Sequence, residues 1–339
     1  MKELLDQAVQ LLRAGRLVAF ATETVYGLGA DARNAEAVER IFLAKGRPST
    51  NPLIVHVSGV AMAKVYARVW SNDARVLGRA FWPGPLTLVV PRHKSICKTV
   101  SAGRDTVGLR VPNHPMALEL IYRFDGPIAA PSANRSTHVS PTTAQHVRDE
   151  LGSAVDLILD GGACAVGIES TVLDLTGAQP RILRPGAVTR EQIERVIGRA
   201  VSSEPVRTDV NVPASSPGQH DVHYAPVTPA LRFEGANKVG RLSDNVPDDL
   251  GSNRLQSSGF PRADVGVMEL GHDAQVHRPS PTRVVMPDDP AEYARHLYAV
   301  LHELDAMKLR EIYIEIPPDT APWAAVRDRI VRATRPRTQ

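Results

Sequence analysis

Apolar residues recur at helical and strand spacing through the first 200 positions of the chain. Residues 4–14 place five of them on one helical face, and Gly15 follows where that helix would end: Leu4, Leu5, Ala8, Leu11 and Leu12. Short apolar runs bounded by polar turns predict buried strands at 17–21, 53–57, 86–90, 106–111, 127–131, 156–160 and 171–175. Further helices are predicted at 35–45, from a Ser140-Pro141 cap to about 151, and at 189–200. The alternation of strands and helices is typical of an α/β fold.

The pattern changes after residue 201. Residues 202–228 are rich in Pro, Ser and Gly and show no periodicity, which is typical of a linker. Strands at 265–270 and 311–316 and helices at 290–307 and 322–334 then predict a small second α/β domain, with a loop at 243–263. The sequence therefore predicts a larger domain at 1–201, a linker at 202–228 and a smaller domain at 229–339.

Composition narrows the function classes. The chain has 339 residues, of which 43% are hydrophobic and 23% charged, so each half can bury an ordinary core. A net charge of +3, from 40 basic and 37 acidic residues, argues against a nucleic-acid coat but leaves a local basic cleft open. Two distant cysteines indicate no disulfide framework and no Cys-rich zinc site. The N-terminus shows no signal-peptide pattern, and we expect a cytoplasmic protein.

Cationic residues follow several of the predicted elements. Lys45 and Arg47 flank a glycine where a helix should end, and Arg110 and Arg184 each end a strand. Lys and Arg in this arrangement suit the oxygens of a triphosphate, although no Walker loop occurs. Each cation by itself is as well explained as a surface charge or as a complement to a helix dipole. Together they predict a site for one or two anionic ligands.

Small polar residues follow other strands. Ala130-Pro131-Ser132-Ala133-Asn134 comes after an apolar strand, where α/β folds place ligands, although the same residues also form simple turns. Glu23, in the turn Thr22-Glu23-Thr24, is either a base, a magnesium contact or a turn cap. His220, Asp221 and His223 have a spacing that imitates a metal site, but without a helix or a further ligand they predict no bound metal.

Several stretches in fixed order carry a resemblance to a known family. They are TETVYGLGADA (22–32), KGRPSTNPLIVH (45–56), FWPGPLTLVV (81–90), VGLRVPNHP (107–115), APSANRSTHVSPT (130–142), LDGG (159–162), IESTVLDL (168–175) and ILRPGAV (182–188). The series resembles the YrdC-like family of threonylcarbamoyl-AMP synthases over roughly residues 5–200. SPGQHDVHYAP (216–226), followed by a small α/β domain, resembles the long two-domain form of that family.

The resemblance implies a fold and a reaction. The fold is an N-terminal twisted α/β sheet around a deep basic cavity, with a Rossmann-like open α/β domain at the C-terminus. The reaction joins L-threonine, bicarbonate or CO2 and ATP into threonylcarbamoyl-AMP and pyrophosphate. Partner proteins then transfer the threonylcarbamoyl group to the adenosine beside the anticodon of tRNA. The resemblance also implies Mg²⁺ bound with ATP, held largely by phosphate oxygens and water.

The resemblance assigns site residues motif by motif. The implied threonine-binding residues are Thr24, His56, Arg110, Ala130 and Ser170. The implied ATP-binding residues are Arg47, Asn51, Thr106, Ser132, Asn134, Ser140, Arg184 and Tyr224. Lys45 and Arg47 are implied to face the phosphates and to act electrostatically, because every reactant is anionic and no covalent nucleophile is needed. Ala21, Thr137 and Gln219 depart from the usual pattern without removing a proposed contact.

Three alternatives remain open at the level of sequence. One is a carbamoyl-transfer enzyme that shares the YrdC-like module, and another is an RNA-binding module without catalysis. The third is a sensor that binds ATP or threonine without turnover. Residues 216–226 add a hypothesis of their own, in which Pro217-Gly218 is a hinge and His223 and Tyr224 close over the nucleotide as a lid.

Overall fold

The computed structural model describes residues 2–203, 223–234 and 264–336. Most of the predicted linker, including Pro217-Gly218, His220 and Asp221, lies outside these residues, as does the predicted loop at 243–263. Elements of the first part end at Ile197, and those of the second begin at Ala230. The exact domain boundaries stay a prediction.

In the described part of the chain, nine strands of the first region pair in one twisted mixed sheet, in the order β7-β1-β2-β6-β3-β5-β4-β8-β9. The strands are β1 (Val18–Phe20), β2 (Gly27–Asp31), β3 (Ile54–His56), β4 (Leu86–Pro91), β5 (Thr106–Arg110), β6 (Ile128–Ala129), β7 (Leu157–Leu159), β8 (Thr171–Asp174) and β9 (Arg181–Arg184). The helices are α1 (Lys2–Arg13), α2 (Ala35–Lys45), α3 (Val60–Tyr66), α4 (Asn72–Phe81), α5 (Pro115–Phe124), α6 (Ala144–Leu151) and α7 (Arg190–Ile197).

The first sheet is buried between helices. Helices α1 and α5 pack on one face, where Leu12 and Leu120 contact a cluster that includes Phe20 and Ile128. Helices α2 and α4 pack with the larger cluster formed by the alternate residues of the same strands. Parallel pairing of β3 with β5 brings His56 directly beside Arg110, so two predicted ligand residues are neighbours in register.

The second region forms a separate open sheet with the order β12-β13-β11-β14-β10-β15. Its elements are β10 (Ala230–Glu234), β11 (Val265–Leu270), β12 (His277–Ser280), β13 (Arg283–Met286), α8 (Pro290–Ala306), β14 (Glu311–Ile316), α9 (Ala324–Ala333) and β15 (Arg335–Pro336). Within the described residues every pairing is parallel except that of the edge strand β12. Both helices contribute to one apolar cluster on one face of the sheet. The predicted architecture, two α/β sheets of unequal size, is confirmed.

The two regions share buried surface. Val25, Val139 and Ile168 of the first region belong to the same apolar cluster as Leu297 and Leu301 of α8. Gly167 lies close against the backbone of Ala294 and Arg295 in α8. Its φ of +80° and the proximity of α8 both favour a residue without a Cβ. Packing of α8 therefore continues into the loop that precedes β8.

Two of the differences from the sequence prediction have a clear structural reason. Helix α6 begins at Ala144, capped by Thr143, and not at Ser140-Pro141, because the Ser140 hydroxyl donates to Glu169 instead of capping. Strand β2 was not predicted, because its glycines obscure the strand pattern. A Cβ at Gly29 would lie 2.8 Å from the Phe20 ring and 2.9 Å from Ile128, so close packing requires the glycine.

Candidate active site

A cavity of about 510 Å³ opens where β3, β5, β6 and β9 end, where β8 begins, and where the chain enters the second region. Its lining includes nine of the predicted site residues: Thr24, Arg47, His56, Arg110, Ala130, Ser132, Ser170, Arg184 and Tyr224. Three of these are arginines, and all three are buried. The structure thus collects cations and small polar groups from segments far apart in sequence around one space.

Three neighbours fix Arg110 at the end of the cavity where threonine is predicted to bind. Its guanidinium donates to Thr24 Oγ1 at 2.9 Å and to the Gly84 carbonyl at 3.3 Å. It also pairs with Glu23 Oε1 at 2.7 Å, both groups being buried. Glu23 therefore forms an ion pair with a cation of the cavity. This role differs from the base, the magnesium contact and the turn cap considered from the sequence.

His56 lies beside Arg110 and is neutral near pH 7. Burial, together with the nearby Arg110, lowers the pKa of His56 to about 3. Its Nδ1 is buried without a hydrogen-bond partner in the described part of the structure, and the side chain lines the cavity. An unsatisfied buried nitrogen at a cavity wall is suited to accept a hydrogen bond from a ligand.

Ser170, a predicted threonine-binding residue, contacts Arg184, a predicted ATP-binding residue. Its hydroxyl lies 2.8 Å from Thr87 Oγ1 and 3.2 Å from an Nη of Arg184. The Arg184 guanidinium also donates twice to the Ser170 carbonyl, at 3.1 and 2.9 Å. The predicted threonine and nucleotide contacts are therefore contiguous.

Arg47 is positioned by the turn that follows α2. Its guanidinium donates to the carbonyls of Asn51 at 3.3 Å and Pro52 at 3.1 Å. Burial lowers the pKa of Arg47 to about 10, so the side chain remains charged at neutral pH. A buried guanidinium that faces a cavity is an efficient partner for phosphate oxygens.

Lys45 is 3% exposed and contacts the loop after β6. Its Nζ donates to the Ser132 carbonyl at 2.6 Å and to both oxygens of Asn134, the side-chain contact being 3.3 Å. Asn134 Nδ2 in turn donates to the carbonyls of Arg135 and His138. Burial, reinforced by Arg47, lowers the pKa of Lys45 well below its ordinary value. Lys45 and Asn134 thus hold the loop that presents Ser132 to the cavity.

Three other predicted ATP residues lie outside the lining of this cavity. Thr106 lines an adjacent cavity of about 330 Å³ at the opposite end of β5 from Arg110. Asn51 is buried next to Arg47, and its Oδ1 has no hydrogen-bond partner among the described residues. Ser140 donates to Glu169 Oε1 at 2.5 Å. Because Ile54 lines both cavities, the two spaces are neighbours.

Tyr224 closes one side of the cavity. It is buried with a φ of +63°, and its ring stacks on Tyr298 of α8 with centroids 5.9 Å apart. Its hydroxyl has no hydrogen-bond partner in the ranges that the structure describes. His223 packs against it at 4.1 Å, and burial together with Arg47 holds the pKa of His223 well below its ordinary value. His223 and Tyr224, the two residues predicted to close over the nucleotide, therefore both line the cavity.

The sequence gave no role to Glu169 and no indication of its partner Arg329. Glu169, which the sequence analysis included only within the stretch IESTVLDL (168–175), lines the cavity and is 6% exposed. Its partner Arg329 lies in α9, 160 positions further along, at a distance of 2.7 Å from Glu169 Oε2. No local pattern identifies such a pair, because RDRIVR reads as an ordinary charged helix.

Fold and cavity together define a two-domain α/β protein with a buried cationic cavity. Residues 10–186 match the Sua5/YciO/YrdC family model, described as telomere recombination. Residues 188–334 match the threonylcarbamoyl-AMP synthase C-terminal domain. The chain belongs to the Sua5/YciO/YrdC family, in the form that carries this C-terminal domain. The resemblance seen in the sequence is confirmed.

Individual relatives agree with the family assignment. The chain is 39% identical to the threonylcarbamoyl-AMP synthase of Pyrococcus abyssi over 96% of this chain and 93% of the relative. It is also 39% identical to the Bacillus subtilis synthase, over 96% and 92% of the two chains. A crystal structure of P. abyssi Sua5 complexed with L-threonine superposes with a TM-score of 0.85, at 37% identity, covering 97% of this chain and 94% of that one.

Proposed function

We propose that this chain is an L-threonylcarbamoyladenylate synthase, a nucleotidyltransferase that forms threonylcarbamoyl-AMP and pyrophosphate from L-threonine, bicarbonate or CO2 and ATP. The observation that carries the proposal is the convergence of Arg47, Arg110 and Arg184 on one cavity. The full-length similarity to threonylcarbamoyl-AMP synthases, one of them solved with L-threonine, supports it.

Threonine binds at the Arg110 end of the cavity. The Arg110 guanidinium takes its carboxylate, while Thr24 and Ser170 supply hydroxyls and Ala130 supplies backbone. The unpartnered Nδ1 of neutral His56 accepts a hydrogen bond from the bound amino acid. The amine nitrogen, after losing a proton, attacks the carbon of CO2, which yields a carbamate.

ATP binds at the Arg47 and Arg184 end, with Ser132 and the Tyr224 hydroxyl as further donors. Lys45 and Asn134 hold the Ser132 loop, and Asn51, Thr106 and Ser140 complete the predicted nucleotide contacts. A carbamate oxygen attacks the α-phosphorus, and the bond to pyrophosphate breaks. The cations lower the barrier by neutralising charge and by aligning two anions, so no covalent enzyme intermediate is required.

Mg²⁺ bound with the nucleotide would neutralise charge on the phosphates. Glu169, which lines the cavity, is engaged by Arg329, and Glu23, which lies beside the lining residue Arg110, is engaged by that arginine. This donor set fits a metal bound mainly through phosphate oxygens and water.

The product serves tRNA modification in this proposal. Partner proteins in the cytoplasm transfer the threonylcarbamoyl group to the adenosine beside the anticodon, and the synthase itself requires no stable contact with tRNA. Among the described residues, no helix combines the length and apolar character that a bilayer crossing requires.

The test is incubation of the purified full chain with ATP, L-threonine, bicarbonate and Mg²⁺, followed by mass detection of threonylcarbamoyl-AMP and assay of pyrophosphate. Omission of each substrate in turn is the control. Replacement of threonine and bicarbonate by carbamoyl phosphate examines the carbamoyl-transfer alternative. Absence of the adduct, with ATP consumed only in the presence of carbamoyl phosphate, would overturn the proposal, and so would tight RNA binding without turnover.

A further inference from the structure

Arg329 of the second region is the largest fully buried side chain of the protein's described part, with 0% exposure. Its Nε donates to Glu169 Oε2 at 2.7 Å, and one Nη donates to the Pro185 carbonyl at 3.0 Å. The other Nη donates to Asp328 at 2.6 Å. Two of its three partners therefore belong to the first region, on the segments that lead into β8 and out of β9.

Glu169 is ionised in this environment. Burial would raise the pKa of Glu169, but Arg329 and then Arg184 reverse that effect and lower it to about 2. The carboxylate also accepts from Ser140 at 2.5 Å and from the Tyr298 hydroxyl at 3.0 Å. Its neighbour in sequence is Ser170, which contacts Arg184.

A carboxylate in the wall of this cavity conflicts with the proposed substrates, because ATP and bicarbonate are anions and threonine presents a carboxylate. At short range and low dielectric, an uncompensated negative charge repels a triphosphate strongly. It would also compete with ATP for Arg184, the other cation that lowers its pKa. Arg329 prevents both the repulsion and the competition, because it neutralises Glu169 and so leaves Arg184 available to the ligand.

Arg329 also supports Tyr224. The guanidinium carbon lies 5.0 Å from the centroid of the Tyr224 ring, within the range of a cation–π contact. Tyr298 stacks on the same ring. These contacts fix the ring while its hydroxyl, which has no partner within the described ranges, remains available at the cavity.

We propose that Arg329 is a positioning residue for ATP, through which the second region becomes part of the nucleotide site. It acts through Glu169, whose charge it neutralises, and through Tyr224, whose ring it holds. The inference rests on the proposed function, since it assigns a helper to the ATP half of that site.

The experiment compares Arg329→Met with the double variant Arg329→Met/Glu169→Gln in the full chain. Calorimetric titration with a non-hydrolysable ATP analogue, and separately with L-threonine, gives the two affinities, and steady-state synthesis gives each KM. For Arg329→Met we expect ATP affinity to fall by about 5- to 150-fold, the usual range of coupling between sites, with little change in threonine affinity. The double variant should recover most of the ATP affinity, because the neutral amide no longer needs a counter-charge.

Arg327→Met is the matched control. Arg327 lies in the same helix, but its contacts are with the Pro317 carbonyl and Asp319 of the second region. It should leave ATP affinity unchanged even if the melting temperature falls. If Arg329→Met does not fold, the double variant alone decides, since it lacks both charges of the buried pair.

Equal weakening of ATP and threonine, or failure of Glu169→Gln to restore ATP binding, would show that Arg329 is only a structural residue and overturn the proposal. Loss of ATP affinity by Arg327→Met would do the same. The proposed function fails on different evidence, namely absence of threonylcarbamoyl-AMP from the unmodified chain.

Discussion

Gly167→Ala tests how tightly the loop before β8 packs against helix α8. Gly167 has a φ of +80°, and a Cβ built there would lie 2.5 Å from Arg295 Cα and 2.6 Å from the Arg295 carbonyl oxygen. Ordinary contacts of a Cβ begin near 3.4 Å. The loop or the helix must therefore shift by about 1 Å, which a close-packed interface resists.

The expected cost has two parts. A left-handed backbone costs an alanine about 1–2 kcal/mol, and overpacking adds about 1–3 kcal/mol. Gly198→Ala is the matched control, because Gly198 has a φ of +70° but no atom within 4 Å of its Cβ position. At roughly 3 °C per kcal/mol, we expect the melting temperature to fall by about 6–15 °C for Gly167→Ala and by about 3–6 °C for Gly198→Ala.

Differential scanning calorimetry of both variants and the unmodified chain provides the measurement. Synthesis of threonylcarbamoyl-AMP should fall in Gly167→Ala alone, because α8 carries Tyr298, which contacts both Glu169 and Tyr224. Equal melting temperatures for the two variants would refute the argument, since the cost would then come from backbone strain and not from the interface.

Three further predictions concern the cavity. Arg47→Ala should mainly weaken the binding of ATP, and Arg110→Ala should mainly weaken the binding of threonine. Calorimetric titration with each ligand measures both affinities, and an equal loss of both in either variant would contradict the division of roles. The Glu169 carboxylate has a lowered pKa in the folded state, so its stabilisation is present above about pH 4.5 and is lost as the pH falls toward about 2. Glu169→Gln should therefore flatten the acid limb of a plot of unfolding free energy against pH, and an unchanged slope would argue against the ion pair. Chelation with EDTA should abolish synthesis, and Mg²⁺ added in excess should restore it; activity that persists after chelation would exclude a need for the metal.

The sequence predicted those parts of the fold in which local pattern and tertiary environment agree. The strands at 265–270 and 311–316 have the predicted bounds, because the apolar residues at the centre of each suit a buried parallel strand. Strand β2 escaped prediction because Gly27 and Gly29 serve packing rather than strand propensity. The start of α6 was misplaced because a tertiary contact with Glu169 engages the Ser140 hydroxyl.

The candidate site also divides into residues that local motifs predict and residues that only tertiary contacts reveal. Arg47, Arg110 and Arg184 could be proposed from sequence, since each follows an element and stands in a motif. Lys45 belongs to the same motif, yet its ammonium contacts the Ser132 loop, and only the geometry reveals those acceptors. Arg329 could not be proposed, because its role depends on a partner 160 positions away.

The apolar cluster that joins the two regions has a consequence for synthesis on the ribosome. Val25 and Ile168 leave the exit tunnel well before Leu297 and Leu301, their partners in α8. The interval of roughly 120 residues between Ile168 and the start of α8 corresponds to about 6–24 s of translation at 5–20 residues per second. During that time the nascent first region presents an uncovered apolar surface. Chaperone engagement of the growing chain should therefore end when α8 emerges, and not when the first sheet is complete.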